Sequence, residues 1–165
     1  MTICDAREPF IKSPRFAQNA EVVVDWPDRY LRDRELGPRD VVLVFTHDPK
    51  FDEPALTAAL ATGAGYVGAL GSRRTQKRRA ERLRDAGLDE QSIARIHAPC
   101  GLDVGARTPS ETAVSVLAEV IAVRSGRSGE PLRETSGPIH PEAAPDASGS
   151  ASASGASTSA GERHT

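Results

Sequence analysis

Asp40 is followed by Val41-Val42-Leu43-Val44-Phe45, an apolar run with no polar residue inside it. A strand with one wet face alternates apolar and polar residues; an unbroken run of this length reads as a strand covered on both faces, the usual state of a strand in a parallel sheet. The neighbouring segments fit that setting. Glu21-Val22-Val23-Val24 is a short β-branched run ending at Asp25-Trp26-Pro27, and Gly65 to Leu70 reads as another buried strand. Between the last two strands lies a helix-like segment from about Glu53 to Ala61, closed by Gly63. Ser72 is placed to N-cap a helix that ends at Ala86-Gly87, glycine being favoured just past a helix end. Asp89 to Ile96 suggests a short helix, and a loop from His97 to Thr108 leads to Pro109, suited to the first turn of a helix running to about Val123. Strands alternating with helices over short connections predict an α/β fold with a Rossmann-like parallel sheet.

The composition of the 165 residues narrows the function classes. Charged residues make up 27% and the formal net charge is -2, so the chain lacks the cationic excess that general nucleic-acid binding requires; no nucleic-acid partner is expected. Cys4 and Cys100 are the only cysteines and lie far apart, which fits a reducing compartment rather than a disulfide framework. His97 precedes Cys100 by three residues, but a structural zinc wants about four ligands, so no metal site is assigned. No membrane span or secretion signal is legible, and the expected location is cytoplasmic. From Gly126 onward the composition changes: Pro131, Pro138, Pro141 and Pro145 precede the Ser-Ala-Gly segment Ser148 to Gly161. Such sequence offers little apolar area to offset its ordering entropy. Residues 1–125 are therefore read as the folded domain and 126–165 as a disordered low-complexity tail.

Ligands of open parallel sheets sit at the carboxyl ends of the strands. That rule selects Asp5, Asp25-Trp26, Thr46-His47-Asp48 and Gly71-Ser72-Arg73-Arg74, expected along one rim. In a helix starting near Ser72, Arg73 and Arg74 occupy the first turn, where cations oppose the helix dipole unless an anion is bound. Lys77, Arg78, Arg79 and Arg82 are read as a solvated face matched by Glu81 and Asp85. His47 either donates to a phosphate or caps the local backbone, and Asp48 before Pro49 is a turn or cap residue. Cys4 and Cys100 are read as small core residues, Trp26 as packing, and Asp103 as an acceptor fixing its loop. Glu111 and Glu119 receive no role.

Thr46-His47-Asp48, Gly68-Ala69-Leu70-Gly71-Ser72-Arg73-Arg74 and His97-Ala98-Pro99-Cys100-Gly101-Leu102-Asp103-Val104-Gly105-Ala106 closely resemble the Rossmann-like domain of the XdhC/CoxI family, in the family's order, over essentially Met1 to Arg124. The resemblance implies a factor that binds the molybdenum cofactor (molybdopterin), allows its sulfuration and delivers it to a xanthine dehydrogenase-type molybdenum hydroxylase. Implied partners are the hydroxylase apoenzyme and a cysteine desulfurase, and the role is that of a chaperone rather than an enzyme. On this reading the cofactor's anion or pterin lies on Gly71, Ser72, Arg73 and Arg74 with His47 nearby, while Asp5 stands where an acidic residue reaches a ribose hydroxyl. The resemblance also implies an N-terminal domain and a strand with a glycine-rich turn ahead of Met1. By that comparison the sheet is truncated at its N-terminus, with unpaired inner strand edges that a partner or another segment would complete. The rival readings are an NAD(P)-dependent oxidoreductase, disfavoured without the glycine-rich turn, and a nonfunctional fragment.

Limited proteolysis should remove everything beyond about Gly129 while leaving the preceding domain whole, because the tail lacks apolar anchors. Protection of Ser148 to Gly161 from protease would overturn the reading of the tail.

Overall fold

In the computed structural model, residues 1–11, 13–17 and 20–140 are described, in two units: Met1–Glu130 and Pro131–Thr165. The first unit runs β1 (Thr2–Cys4), α1 (Glu8–Ile11), α2 (Pro14–Ala17), β2 (Glu21–Val23), α3 (Pro27–Arg32), β3 (Val41–Val44), α4 (Pro49–Leu60), β4 (Tyr66–Ala69), α5 (Arg73–Asp85), α6 (Glu90–Ala94), β5 (Ile96–His97) and α7 (Pro109–Ser125). The described part of the second unit, residues 131–140, is exposed and holds one 3-10 turn, Leu132–Glu134. Residues 141–165, which include the Ser-Ala-Gly segment, lie outside the described residues.

All strand pairs are parallel, as the alternation of strands and helices predicts. They form two sheets, β1-β2 and β3-β4-β5. The register Val44↔Ala69 between β3 and β4 sends the loops after these two strands out side by side.

The helices begin where their caps dictate. Asp48 caps α4 by accepting from Lys50 N–H, Ser72 caps α5 by accepting from Thr75 N–H, and Asp89 caps α6 by accepting from Ser92 N–H. Thr108 and Glu111 form a capping box at α7, giving Glu111 a structural task, and Gly126 ends that helix in the left-handed region at φ 64°. The α4 start lies four residues ahead of the expected Glu53, because Asp48-Pro49 supplies both a cap and a proline suited to the first turn. The expected loop at His97 begins instead with the strand β5, too short to leave a pattern.

The larger core lies on one face of β3-β4-β5: Val44, Val67, Ala69 and Ile96 pack against Leu56, Ala59 and Leu60 of α4 and Leu83 of α5. On the other face Tyr66 and Cys100 pack against Val116 and Val120 of α7. The expectation that the Val41–Phe45 run is covered on both faces fails there: the cluster between α7 and β4 takes in Val41 at the start of β3, but Leu43 is 36% and Phe45 52% exposed. Among the described residues no helix is long and apolar enough to cross a membrane.

Gly65 lies against the chain before β3, where an added Cβ would meet the Pro38 carbonyl oxygen at 2.0 Å. Gly65→Ala should therefore cost about 1–3 kcal/mol by forcing backbone apart. Gly37→Ala, whose nearest neighbour would be Asp40 Oδ2 at 3.8 Å, should stay within about 0.5 kcal/mol of the parent. Urea denaturation midpoints of the two variants check the contrast.

Candidate functional site

Thr46, His47 and Asp48 leave the carboxyl end of β3 and enter α4. The Thr46 hydroxyl accepts from Asp48 N–H (3.0 Å), and Asp48 caps the helix, as the sequence suggests. His47 is exposed, and its ring makes no hydrogen bond among the described residues. With Phe45, Pro49 and Arg7, these residues line a cleft of about 570 Å³. Arg7 comes from the other sheet, so the cleft brings the carboxyl ends of β1 and β3 together. Asp5 turns both carboxylate oxygens to Arg7: Nε donates to Oδ1 at 2.9 Å, Nη2 to Oδ2 at 2.7 Å, and the Arg7 amide to Oδ1 at 2.8 Å. These bonds from Arg7 hold the Asp5 carboxyl below its ordinary value. The Arg7 guanidinium also sits over the Phe51 ring, 5.4 Å from its centre, while Trp26 stacks on the same ring at 4.9 Å. Trp26 is thus a packing residue here.

Gly71 turns the chain out of β4 at φ 142°, in the region that favours glycine. The Ser72 hydroxyl accepts from Thr75 N–H at 3.1 Å. Arg73 and Arg74 follow, exposed, in a first turn that holds no acidic residue, and neither makes an ion pair among the described residues. The four residues do not line the cleft at His47: Gly71 and Ser72 form the neighbouring loop, and Arg73 and Arg74 open α5.

The basic helix α5 is not one solvated face. Arg79 is fully buried: Nη2 donates to Asp52 Oδ2 at 2.8 Å and to the Leu70 carbonyl at 3.0 Å, and Nη1 donates to Gln76 Oε1 at 3.1 Å. Arg82 pairs with Glu53 of α4, and Arg84 with Glu90 of α6. The sequence pattern hides this because the partners lie on other helices, far from the nearby Glu81 and Asp85. Lys77 and Arg78 remain exposed, as expected.

A second polar centre, to which the sequence assigns no role, lies between α7 and the sheet. Glu119 Oε2 accepts from the Tyr66 hydroxyl at 2.6 Å and from Gly101 N–H at 2.5 Å, while Oε1 lies 3.2 Å from His97 Nδ1. The Tyr66 and His97 rings stack at 4.4 Å. Burial pushes the Glu119 carboxyl up, but the hydrogen bonds from Tyr66, Gly101 and His97 outweigh it and leave the value lowered. A carboxylate in an otherwise apolar stretch of helix, Val116 to Val123, is the signal that could have found it. Cys100 is buried beside this centre, as expected of a small apolar residue; burial first, then the Glu119 charge, push its thiol up to about 11. Cys4 is half-buried, its thiol donating to the Asp25 carbonyl at 3.4 Å and pushed up to about 11 by burial and the Asp25 charge. Asp103 is exposed and makes no side-chain hydrogen bond among the described residues, so it does not fix its loop as expected. No group of three or more His, Cys, Asp or Glu that could hold a metal ion occurs among the described residues.

Residues 1–120 match the family model described as the XdhC Rossmann domain. A protein of Bacillus subtilis (strain 168) named as a probable xanthine dehydrogenase subunit is 28% identical over 122 residues, 74% of this chain and 35% of that protein. The molybdenum cofactor insertion chaperone PaoD of Escherichia coli (strain K12) is 40% identical over 83 residues, 50% of this chain and 26% of PaoD. The crystal structure of a xanthine dehydrogenase from Bacillus halodurans superposes with a TM-score of 0.61 at 29% identity, over 77% of this chain and 36% of that one. The chain thus spans between about a quarter and just over a third of the length of these proteins.

Truncating Glu119 strands the Tyr66 hydroxyl and the Gly101 amide without their acceptor. Glu119→Ala should therefore lose about 1–3 kcal/mol for each donor left unpaired. Because the folded carboxyl lies below its ordinary value of 4.5, its stabilisation is present above that value and is lost as pH falls through the lower folded value. Urea denaturation of parent and Glu119→Ala should show a gap at neutral pH that narrows on acidification below about 4.5; a gap independent of pH would contradict this role.

Proposed function

The chain belongs to the XdhC family through its Rossmann domain, and on that premise we propose that it binds the molybdenum cofactor as cargo and passes it to a molybdenum hydroxylase of the xanthine dehydrogenase type. Two relatives carry the names of a cofactor insertion chaperone and of a xanthine dehydrogenase component, which supports the reading. The observation that carries it is the first turn of α5. Among the described residues Arg73 and Arg74 stand there without an acidic partner, at the helix end whose free N–H groups already attract anions. Two cations at that end oppose the helix dipole, and a bound phosphate reverses the sign of that effect. The residues present fit the anionic part of such a cofactor: Gly71 turns the chain in the region that favours glycine, the Ser72 hydroxyl is held by the Thr75 amide and hydroxyl, and the arginines supply charge-assisted donors. His47, exposed on the adjacent loop, is the further donor in this proposal.

A dinucleotide reading is weaker. Asp5, the residue suited to a ribose diol, already accepts two bonds from Arg7 on Oδ1 and one on Oδ2, which leaves Oδ2 alone with an acceptor site for a sugar hydroxyl. Asp5 in this proposal holds Arg7 at the mouth of the cleft. The hydroxylase apoenzyme and a cysteine desulfurase are the proposed protein partners. A strand from a partner or another segment belongs to the same proposal: among the described residues β1 pairs only with β2, and β3, with Leu43 and Phe45 exposed, pairs only with β4.

Titration of molybdopterin onto the protein tests the assignment. A well-made charge-assisted bond contributes about 1.5–3 kcal/mol, so Arg73→Ala and Arg74→Ala should each weaken binding about tenfold or more. Arg82→Ala, which removes a cation already paired with Glu53, should leave affinity within about twofold. Equal losses from all three would replace the site with a diffuse basic surface, and tight NAD binding without pterin affinity would favour the oxidoreductase.

A further inference from the structure

Two loops carry the proposed ligand contacts, the one around His47 and the turn Gly71 to Arg74, and one buried ion pair ties them together. Asp52 sits one helical turn into α4, its amide donating to the carbonyl of the cap residue Asp48 at 3.0 Å. Arg79 sits in α5, seven residues beyond the cap Ser72. Their side chains are 3% and 0% exposed and meet at 2.8 Å. The same Arg79 nitrogen bonds the carbonyl of Leu70, the residue directly before Gly71, and the other terminal nitrogen holds Gln76.

We infer that Asp52 and Arg79 are positioning residues that set the His47 loop and the Gly71–Arg74 turn in register with each other. The planar fork of arginine is suited to this: one rigid group reaches an acceptor on α4, one in the turn and one on α5. Stability is a poor alternative account. Taking two charges out of water costs heavily, and a buried pair is often no better for folding than apolar side chains of like volume. Here the compensation is incomplete, because Asp52 Oδ1 and Arg79 Nε have no hydrogen-bond partner among the described residues. What the pair supplies that apolar side chains could not is direction. Leu70 N–H is fixed by the Val44 carbonyl at 3.2 Å and its C=O by Arg79, so both backbone polar groups of the residue before the turn are held.

The ligand-binding consequence rests on the anion site proposed above, but the positioning itself can be read without a ligand. The experiment compares the parent with the double variant Asp52→Leu/Arg79→Met by thermal melting, by amide hydrogen exchange, and by titration with inorganic pyrophosphate. The expected result is a melting temperature equal to or above the parent's, with the amides that are hydrogen-bonded around the two loops, Leu70 and Thr75 on one side and Asp48 and Lys50 on the other, exchanging about tenfold faster or more and pyrophosphate binding weakened to match. Unchanged exchange in both loops of a folded double variant would overturn the inference. If that variant does not fold, Arg79→Lys decides the matter. It keeps a cation beside Asp52 but cannot span Leu70 and Gln76 at once, so faster exchange at the hydrogen-bonded Leu70 and Thr75 amides supports positioning and unchanged exchange overturns it. A parent that binds no pyrophosphate would count against the anion site alone, while the exchange rates would still judge the pair.

Discussion

Strand β4 is the member on which the rest of the structure leans. Among the described residues it is the only strand of its sheet paired on both edges, and all four of its residues are buried. Being covered on both faces, it has to be narrow where neighbours press closest. A Cβ at Gly68 would stand 2.6 Å from the Tyr66 ring and 3.2 Å from Cys100 Cβ, so the loop carrying Cys100 can cross only over a glycine. Val67 and Ala69 feed the larger core against α4 and α5, while Tyr66 on the opposite face reaches Glu119 of α7. The strand's end is equally committed: the Ala69 carbonyl accepts from Cys100 N–H, and the carbonyl of Leu70, next in line, accepts from Arg79. The Gly71 turn is therefore anchored before the exposed residues begin.

Charge in α5 is sorted by depth. Arg79 finds Asp52 in the core, Arg82 finds Glu53 at its margin and Arg84 finds Glu90 near the surface. Arg73 and Arg74, at the other end of the helix, find no acid among the described residues. A net charge of -2 leaves acidic residues enough to pair these two, and none lies in their turn. Cations near the last turn of a helix are favoured by its dipole, so Arg82 and Arg84 need no ligand to account for them; cations in the first turn are disfavoured by it. That asymmetry, rather than the number of arginines, separates the proposed binding residues from the structural ones.

What the sequence makes legible follows the range of the interactions involved. Caps act over three residues, so Ser72 could be read as a helix start and Asp48 as a turn or cap residue, though its helix was expected four residues later, and buried runs such as Tyr66 to Ala69 could be read as strands. The carboxyl-end rule singled out Thr46-His47-Asp48, and these residues line the cleft because parallel strands present such loops on one side. Pairings across the fold left no local trace. Arg79 looks like its exposed neighbours Arg78 and Lys77 until Asp52, 27 residues away in sequence, is set against it. Glu119 stood out only as a carboxylate in an apolar stretch; its partners Tyr66 and His97, 53 and 22 residues distant, could not be read from it. The Val41–Phe45 run misled differently: an apolar run reports that both faces suit burial, not that both are covered by the residues at hand.

Helix α4 explains how a cleft can form between strands that share no hydrogen bonds. Successive residues of an α-helix point about 100° apart, so three neighbours can address three directions. Phe51 faces the β1-β2 side, stacked by Trp26 and covered by the Arg7 guanidinium. Asp52 faces inward to Arg79, and Glu53 meets Arg82 at the margin of α5. Lys50, just ahead, lies over the Trp26 ring at 5.0 Å. One turn of helix therefore joins the end of β1, the end of β3 and the helix after β4, without a continuous sheet beneath them. The Asp48 cap sets where that turn begins, and with it the angle at which Phe51, Asp52 and Glu53 meet their partners. A shift of the helix start by one residue would rotate all three contacts by about 100° at once, which ties the shape of the cleft to the same short segment that presents His47.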